Sequence, residues 1–239
     1  TCTYWGGTSS SISNNILSNL NGQGTITGIN LGSTFNGATN SIINANQLSG
    51  FNSTGTGGAV TGVSCSNTSS TITISNTTIS GLSSTGASTV TGINISGSTA
   101  TSLIANKIHS LSSSNAGGSV NGILVSAGTL STLTNNIIGN LTAPVANAAN
   151  PINGINITGG TAVNVFYNSV YLNATSSGAL FGSSAISVSS TPTVTIRNNI
   201  FINESSFNGA AFAVAMRRSS TTLTTYSNAS NNNLLYAGT

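Results

Sequence analysis

Val90-Thr91-Gly92-Ile93-Asn94-Ile95 is followed by Val120-Asn121-Gly122-Ile123-Leu124-Val125, a second copy of the same pattern of apolar residues set about a glycine. Further copies stand at Ile26-Thr27-Gly28-Ile29-Asn30-Leu31, Val60-Thr61-Gly62-Val63-Ser64-Cys65 and Ile152-Asn153-Gly154-Ile155-Asn156-Ile157. A degenerate copy follows at Ser183-Ser184-Ala185-Ile186-Ser187-Val188. From Gly28 to Gly62, Gly92, Gly122 and Gly154 the steps are 34, 30, 30 and 32 residues. A repeat of this length marks a stacked unit that cannot bury its own apolar face without its neighbours.

A second motif lies downstream in each unit: an apolar residue three before an asparagine and another two after it. It reads Ile12/Asn15/Leu17, Ile43/Asn46/Leu48, Leu103/Asn106/Ile108, Leu133/Asn136/Ile138, Val165/Asn168/Val170 and Ile196/Asn199/Phe201. Thr77 stands in for Asn between Ile74 and Ile79. From Gly62 onward the two motifs keep a separation of 14 or 15 residues, whereas the return from Asn to the next Gly varies in length. Stretches 52–58 and 143–147 are therefore expected to be tolerant loops, and replacing Asn147 by Leu should change stability by no more than about 0.5 kcal/mol.

Strands, and not helices, fit these columns. β-Branched residues dominate them, Gly and Asn punctuate short runs, and no 3.6-residue stripe persists. The spacing predicts an all-β chain: a right-handed parallel β-helix, or solenoid, of about seven to eight coils, with a period of about 30–34 residues. At about 4.8 Å per coil the rod is roughly 35 Å long. Stacking aligns Ile29, Val63, Ile93, Ile123, Ile155 and Ile186, and in parallel Leu31, Cys65, Ile95, Val125, Ile157 and Val188. Gly28, Gly62, Gly92, Gly122 and Gly154 suit a bend where φ is positive or another backbone comes close. Asn15, Asn46, Thr77, Asn106, Asn136, Asn168 and Asn199 form a ladder in which side-chain amides bond to each other and to turn backbone. Cys2 and Cys65 fall two coils apart, about 9.6 Å, too far for a disulfide.

The whole of 1–239 reads as one solenoid segment, repeating from about residue 12 and more divergent and aromatic over 160–239. It begins without Met and ends in mid-pattern, as expected of part of a larger protein. Only Lys107, Arg197, Arg217, Arg218 and Glu204 carry formal charge, and the net charge is +3. Solubility then rests on Ser, Thr, Asn and Gly, while a hydrophobic fraction of 37% favours order over a disordered polar chain. The basic residues are too few for a nucleic-acid stripe. No apolar run approaches the roughly 20 residues of a membrane helix.

Acid–base chemistry with paired carboxyls is excluded, because Glu204 is the one acid in the chain. Calcium sites also call for several carboxylates. His109, the one histidine, builds neither a zinc site nor a catalytic triad and is expected to face outward. No catalytic residue, metal or cofactor is expected. Candidate surface-binding residues are Tyr4 and Trp5, which precede the first clear coil, and the basic pair Arg217 and Arg218. Aromatic residues from Phe166 to Tyr236 either fill wider coils or stack on partners. A hydroxyl column beginning at Thr27, Thr61 and Thr91 suggests a flat Thr array of the kind that binds ice, but Asn121, Asn153 and Ser184 interrupt it. Glycosylation sequons recur, among them Asn67, Asn94, Asn156 and Asn203, as expected by chance in so polar a chain.

Asn168-Ser169-Val170-Tyr171-Leu172-Asn173, Thr193-Val194-Thr195-Ile196-Arg197-Asn198-Asn199-Ile200-Phe201, Arg217-Arg218-Ser219-Ser220 and Asn231-Asn232-Asn233-Leu234-Leu235-Tyr236 carry a family resemblance. They resemble the right-handed parallel β-helix modules of large secreted Bacteroidota proteins with type IX sorting domains. The upstream coils resemble pectate-lyase-like β-helices in their Asn ladder and Gly motif. The resemblance implies export and an extracellular or cell-surface location. The catalytic acids and bases of the family's lyases have no counterparts here. A non-enzymatic structural or adhesive stalk is the expected function, with adjacent modules of the same polypeptide, outer-membrane secretion machinery or surface glycans as partners. The alternative is a polysaccharide-binding module of a larger carbohydrate-active protein.

Overall fold

A computed structural model describes residues 9–32, 40–68 and 70–238. Tyr4, Trp5 and Cys2 lie outside the described residues. The regular structure is all strand, in three parallel sheets that we label A, B and C. Each coil runs along one strand of A, one of B and one of C before returning to A.

Sheet A contains Ile26–Leu31, Val60–Cys65, Thr89–Ile95, Ser119–Val125, Ala148–Ile157, Phe181–Val188 and Ala213–Arg218. Sheet B contains Ser9–Ser13, Asn40–Asn44, Thr71–Ser75, Ala100–Ile104, Leu130–Thr134, Ala162–Phe166 and Thr193–Arg197. Sheet C is built on Ile16–Ser18, Gln47–Ser49, Thr78–Ser80, Lys107–Ser113, Ile137–Thr142, Ser169–Leu172, Ile200–Asn203 and Leu234–Ala237. The short strands Asn21–Gly22, Asn52–Ser53 and Ser83–Ser84 extend it. The chain thus forms a β-solenoid of about seven turns.

The register follows the sequence columns. Ile29, Val63, Ile93, Ile123, Ile155 and Ile186 pair in succession, as do Leu31, Cys65, Ile95, Val125, Ile157 and Val188. Both columns are buried, and each coil removes apolar surface from water only by lying on the next. Cys65 is a free thiol wholly inside this core, and burial pushes its pKa up to about 12.

The glycines resolve into one of the two expected roles. None of Gly28, Gly62, Gly92, Gly122 and Gly154 is among the positive-φ glycines. What requires glycine is close approach: a Cβ on Gly92 would lie 2.5 Å from the Gly122 carbonyl oxygen and 2.6 Å from Ile108 Cγ2. Pairing steps over the glycine, from Thr91↔Asn121 to Ile93↔Ile123, so Val90 and Ile93 both point inward although three residues apart.

Two expectations are corrected by the packing. The column of Thr27, Thr61 and Thr91 does stack, but it is no open array: Thr91, Asn121, Asn153 and Ser184 are buried. The supposedly tolerant stretches are also bonded. Asn52–Ser53 pairs within sheet C, and Asn147 Oδ1 accepts the Leu180 N–H at 2.9 Å, so Asn147→Leu removes a hydrogen bond worth about 1 kcal/mol.

Candidate functional site

The corner between sheets B and C is the most regular polar feature of the molecule. Immediately before each ladder position the backbone is left-handed: φ is 59° at Asn14, 53° at Ala45, 49° at Asn76, 54° at Ala105, 62° at Asn135, 57° at Tyr167, 57° at Asn198 and 53° at Asn232. That reversal turns the next side chain inward. Asn tolerates this region, whereas an ordinary side chain pays about 1–2 kcal/mol there. Ala105→Asn should therefore raise the melting temperature by roughly 2–4 °C, read by thermal unfolding.

Each inward asparagine bridges two coils. Asn136 Oδ1 accepts from the Asn106 N–H at 3.0 Å and from Asn106 Nδ2 at 2.9 Å. Asn136 Nδ2 donates to the Leu103 carbonyl at 2.9 Å and to Asn168 Oδ1 at 2.9 Å. The pattern recurs at Asn168 and Asn199 and explains why an apolar residue stands three before each Asn: its side chain fills the core while its carbonyl faces the amide of the coil above. The ladder continues to Asn233, whose Oδ1 accepts from Asn199 Nδ2 at 2.8 Å. Sequence reasoning missed Asn233 because Ser230 replaces the apolar residue three before it; Leu235, two after it, was the remaining signal.

Thr77 divides the ladder. Its N–H is held by Asn106 Oδ1 at 3.1 Å, but its hydroxyl donates to the Ser75 carbonyl at 3.0 Å. Amide-to-amide bonding therefore runs from Asn15 to Asn46 and again from Asn106 to Asn233. Thr77→Asn joins the two runs and should stabilise the protein by about 0.5–2 kcal/mol in denaturant unfolding.

The arginine pair is bonded to the neighbouring coil and to its own segment. Arg217 Nε donates to Ser184 Oγ at 3.0 Å, and its Nη2 to the Phe212 carbonyl at 3.1 Å; partial burial lowers its pKa. Arg218 donates to the Thr222 carbonyl and to Thr225 Oγ1. Together they hold the chain over 212–225. His109 is half-buried beside Ser110 Oγ, and desolvation followed by the Lys107 charge lowers its pKa.

The aromatic residues divide between core and surface. Phe181 and Phe201 fill the interior, while Tyr167, Tyr171, Phe207, Phe212 and Tyr236 are exposed. Asn67 and Asn203 are buried, so neither sequon is open to a glycan in the folded chain. Tyr171 Oη donates to Glu204 Oε2 at 2.8 Å, which raises the phenol pKa.

Sequence reading passed over one surface feature. Phe166, Tyr167, Arg197 and Asn198 line a shallow pocket of about 210 Å³ at the ladder corner. Phe166 and Arg197 are register partners on adjacent coils, and the guanidinium lies 5.1 Å from the centre of the Phe166 ring. The visible signal was the appearance of Phe and Arg in a column that elsewhere holds Ser, Asn, Ile and Thr. Comparison with protein-family models, curated proteins and solved structures gives no match.

Proposed function

We propose that this chain is a non-enzymatic structural or adhesive stalk of a secreted or cell-surface protein. The observation that carries this reading is axial continuity: strands pair coil to coil through all three sheets, and ladder amides add bonds from Asn15 to Asn46 and from Asn106 to Asn233, with Thr77 between the two runs. Such a design resists bending and separation of coils, which is what a spacer or display element needs. Export by the type IX route is supported by the resemblance of residues 168–239 to modules of that class.

The uppermost coil supports adjacent modules as partners. Leu235 belongs to an interior column, directly above the fully buried Phe201, yet it is 50% exposed. The strands Ala213–Arg218 and Leu234–Ala237 each offer an unpaired edge beside it, and uncovered edges recruit further strands. A neighbouring module of the same polypeptide fits that face. A polysaccharide-binding module is the second reading, favoured by the exposed aromatics of the last coils.

Light scattering with a polysaccharide degradation assay tests the stalk. The isolated chain should associate end to end, Leu235→Lys should suppress that association, and no polysaccharide should be cleaved. A monodisperse chain that degrades a glycan would overturn the reading.

A further inference from the structure

We propose that the pocket formed by Phe166, Tyr167, Arg197 and Asn198 binds a carboxylated sugar ring. The site is defined by a change of residue type in two neighbouring columns. Along the edge of sheet B the column reads Ser13, Asn44, Ser75, Ile104 and Thr134, and then changes to Phe166 and Arg197. At the adjoining left-handed corner every other position is Asn or Ala, but one is Tyr167.

Tyr167 is the least suited of these residues to its backbone. A bulky side chain at φ 57° is strained, and the ring is 58% exposed, so burial does not offset the strain. Strain of this kind, kept in place by its surroundings, collects at binding sites. The corner aims the ring outward beside Arg197.

Arg197 differs from Arg217 and Arg218 in having no hydrogen bond or ion pair from its guanidinium to the described residues; its contact is the Phe166 ring. The one carboxylate side chain, Glu204, is bonded to Tyr171. Phe166 orients the planar fork and leaves its N–H donors for an outside acceptor, and a carboxylate matches that fork with two parallel bonds. Tyr167 presents a flat apolar face on which the C–H side of a sugar ring stacks. The side-chain amide of Asn198 has no partner among the described residues and supplies both donors and an acceptor for ring hydroxyls. The pocket volume of about 210 Å³ suits one ring at a surface rather than an enclosed ligand.

The test titrates the full chain with trigalacturonate, its neutral counterpart galactotriose, and acetate, using saturation-transfer NMR. Trigalacturonate should bind saturably and more weakly as salt is raised, with transfer from aromatic protons. Galactotriose should bind at least roughly tenfold more weakly, because a charge-assisted pair is lost. Acetate at the same concentration should not displace the trimer. Arg197→Gln should weaken binding by roughly tenfold or more. Tyr167→Asn, which restores the corner residue found in neighbouring coils, should abolish binding while raising the melting temperature by about 2–4 °C. A merely structural tyrosine would not separate those two readouts. Equal binding of acidic and neutral trimers, equal displacement by acetate, absence of saturable binding, or full affinity in both variants would each overturn the proposal. The stalk reading is independent of this site. Glycan binding that survives both variants would place a sugar site elsewhere and leave the second reading standing without this pocket.

Discussion

Replacing Asn136 by Leu is expected to destabilise the solenoid by about 2–5 kcal/mol. The side chain is fully buried at the centre of the longer ladder run and takes part in four hydrogen bonds. Leucine leaves the Asn106 N–H without its acceptor and the Leu103 carbonyl without the amide donor, both in a dry corner where unpaired groups cost about 1–3 kcal/mol each. Asn106 Nδ2 keeps its bond to the Ile74 carbonyl, so the loss does not run down the whole stack. The suitable control is Asn173→Leu, at an exposed side chain with no hydrogen bond among the described residues, where the change should stay within about 0.5 kcal/mol. Chemical denaturation of the two variants decides the matter: equal midpoints would remove the ladder from the account of stability.

The second large effect is expected at the glycine column. Gly92→Val should cost about 3 kcal/mol or more, since overpacking a filled core displaces both backbone and side chains. The Gly122 carbonyl oxygen would stand 2.5 Å from the new Cβ and Ile108 Cγ2 2.6 Å from it. Only the second obstacle can yield, so Gly92→Val combined with Ile108→Ala should not recover wild-type stability in thermal unfolding. Full recovery would show that a side-chain clash, and not the approach of the next coil's backbone, requires glycine. Ala185 and Ala215 occupy the equivalent places in the last two coils and are buried there, so the column changes from glycine to alanine toward that end.

These two positions show how a repeat reports its fold. A column recurs because one geometric demand recurs once per coil, so Gly92 and Asn136 were legible from spacing alone. Departures from a column were harder to weigh. Tyr167 and Arg197 read as ordinary members of an aromatic, slightly basic end, because whether they share a pocket depends on register across coils and on the left-handed corner. Arg217 and Arg218 were singled out as an adjacent basic pair, but adjacency in sequence does not show that Ser184, Phe212, Thr222 and Thr225 already accept their donors.

By itself the sequence determined that the chain is a parallel β-solenoid, which residues stack into its interior and where the ladder runs from Asn15 to Asn199. Period, β-branching and the Gly and Asn punctuation are local properties repeated often enough to leave one consistent arrangement. Only the tertiary structure decided why the glycines are needed, that the Thr91 column is covered, that Asn147 is bonded, and that Leu235 is left half-exposed above Phe201. Each of these depends on what lies one coil away, some thirty residues distant along the chain, and a distance across coils is set by packing rather than by any local pattern.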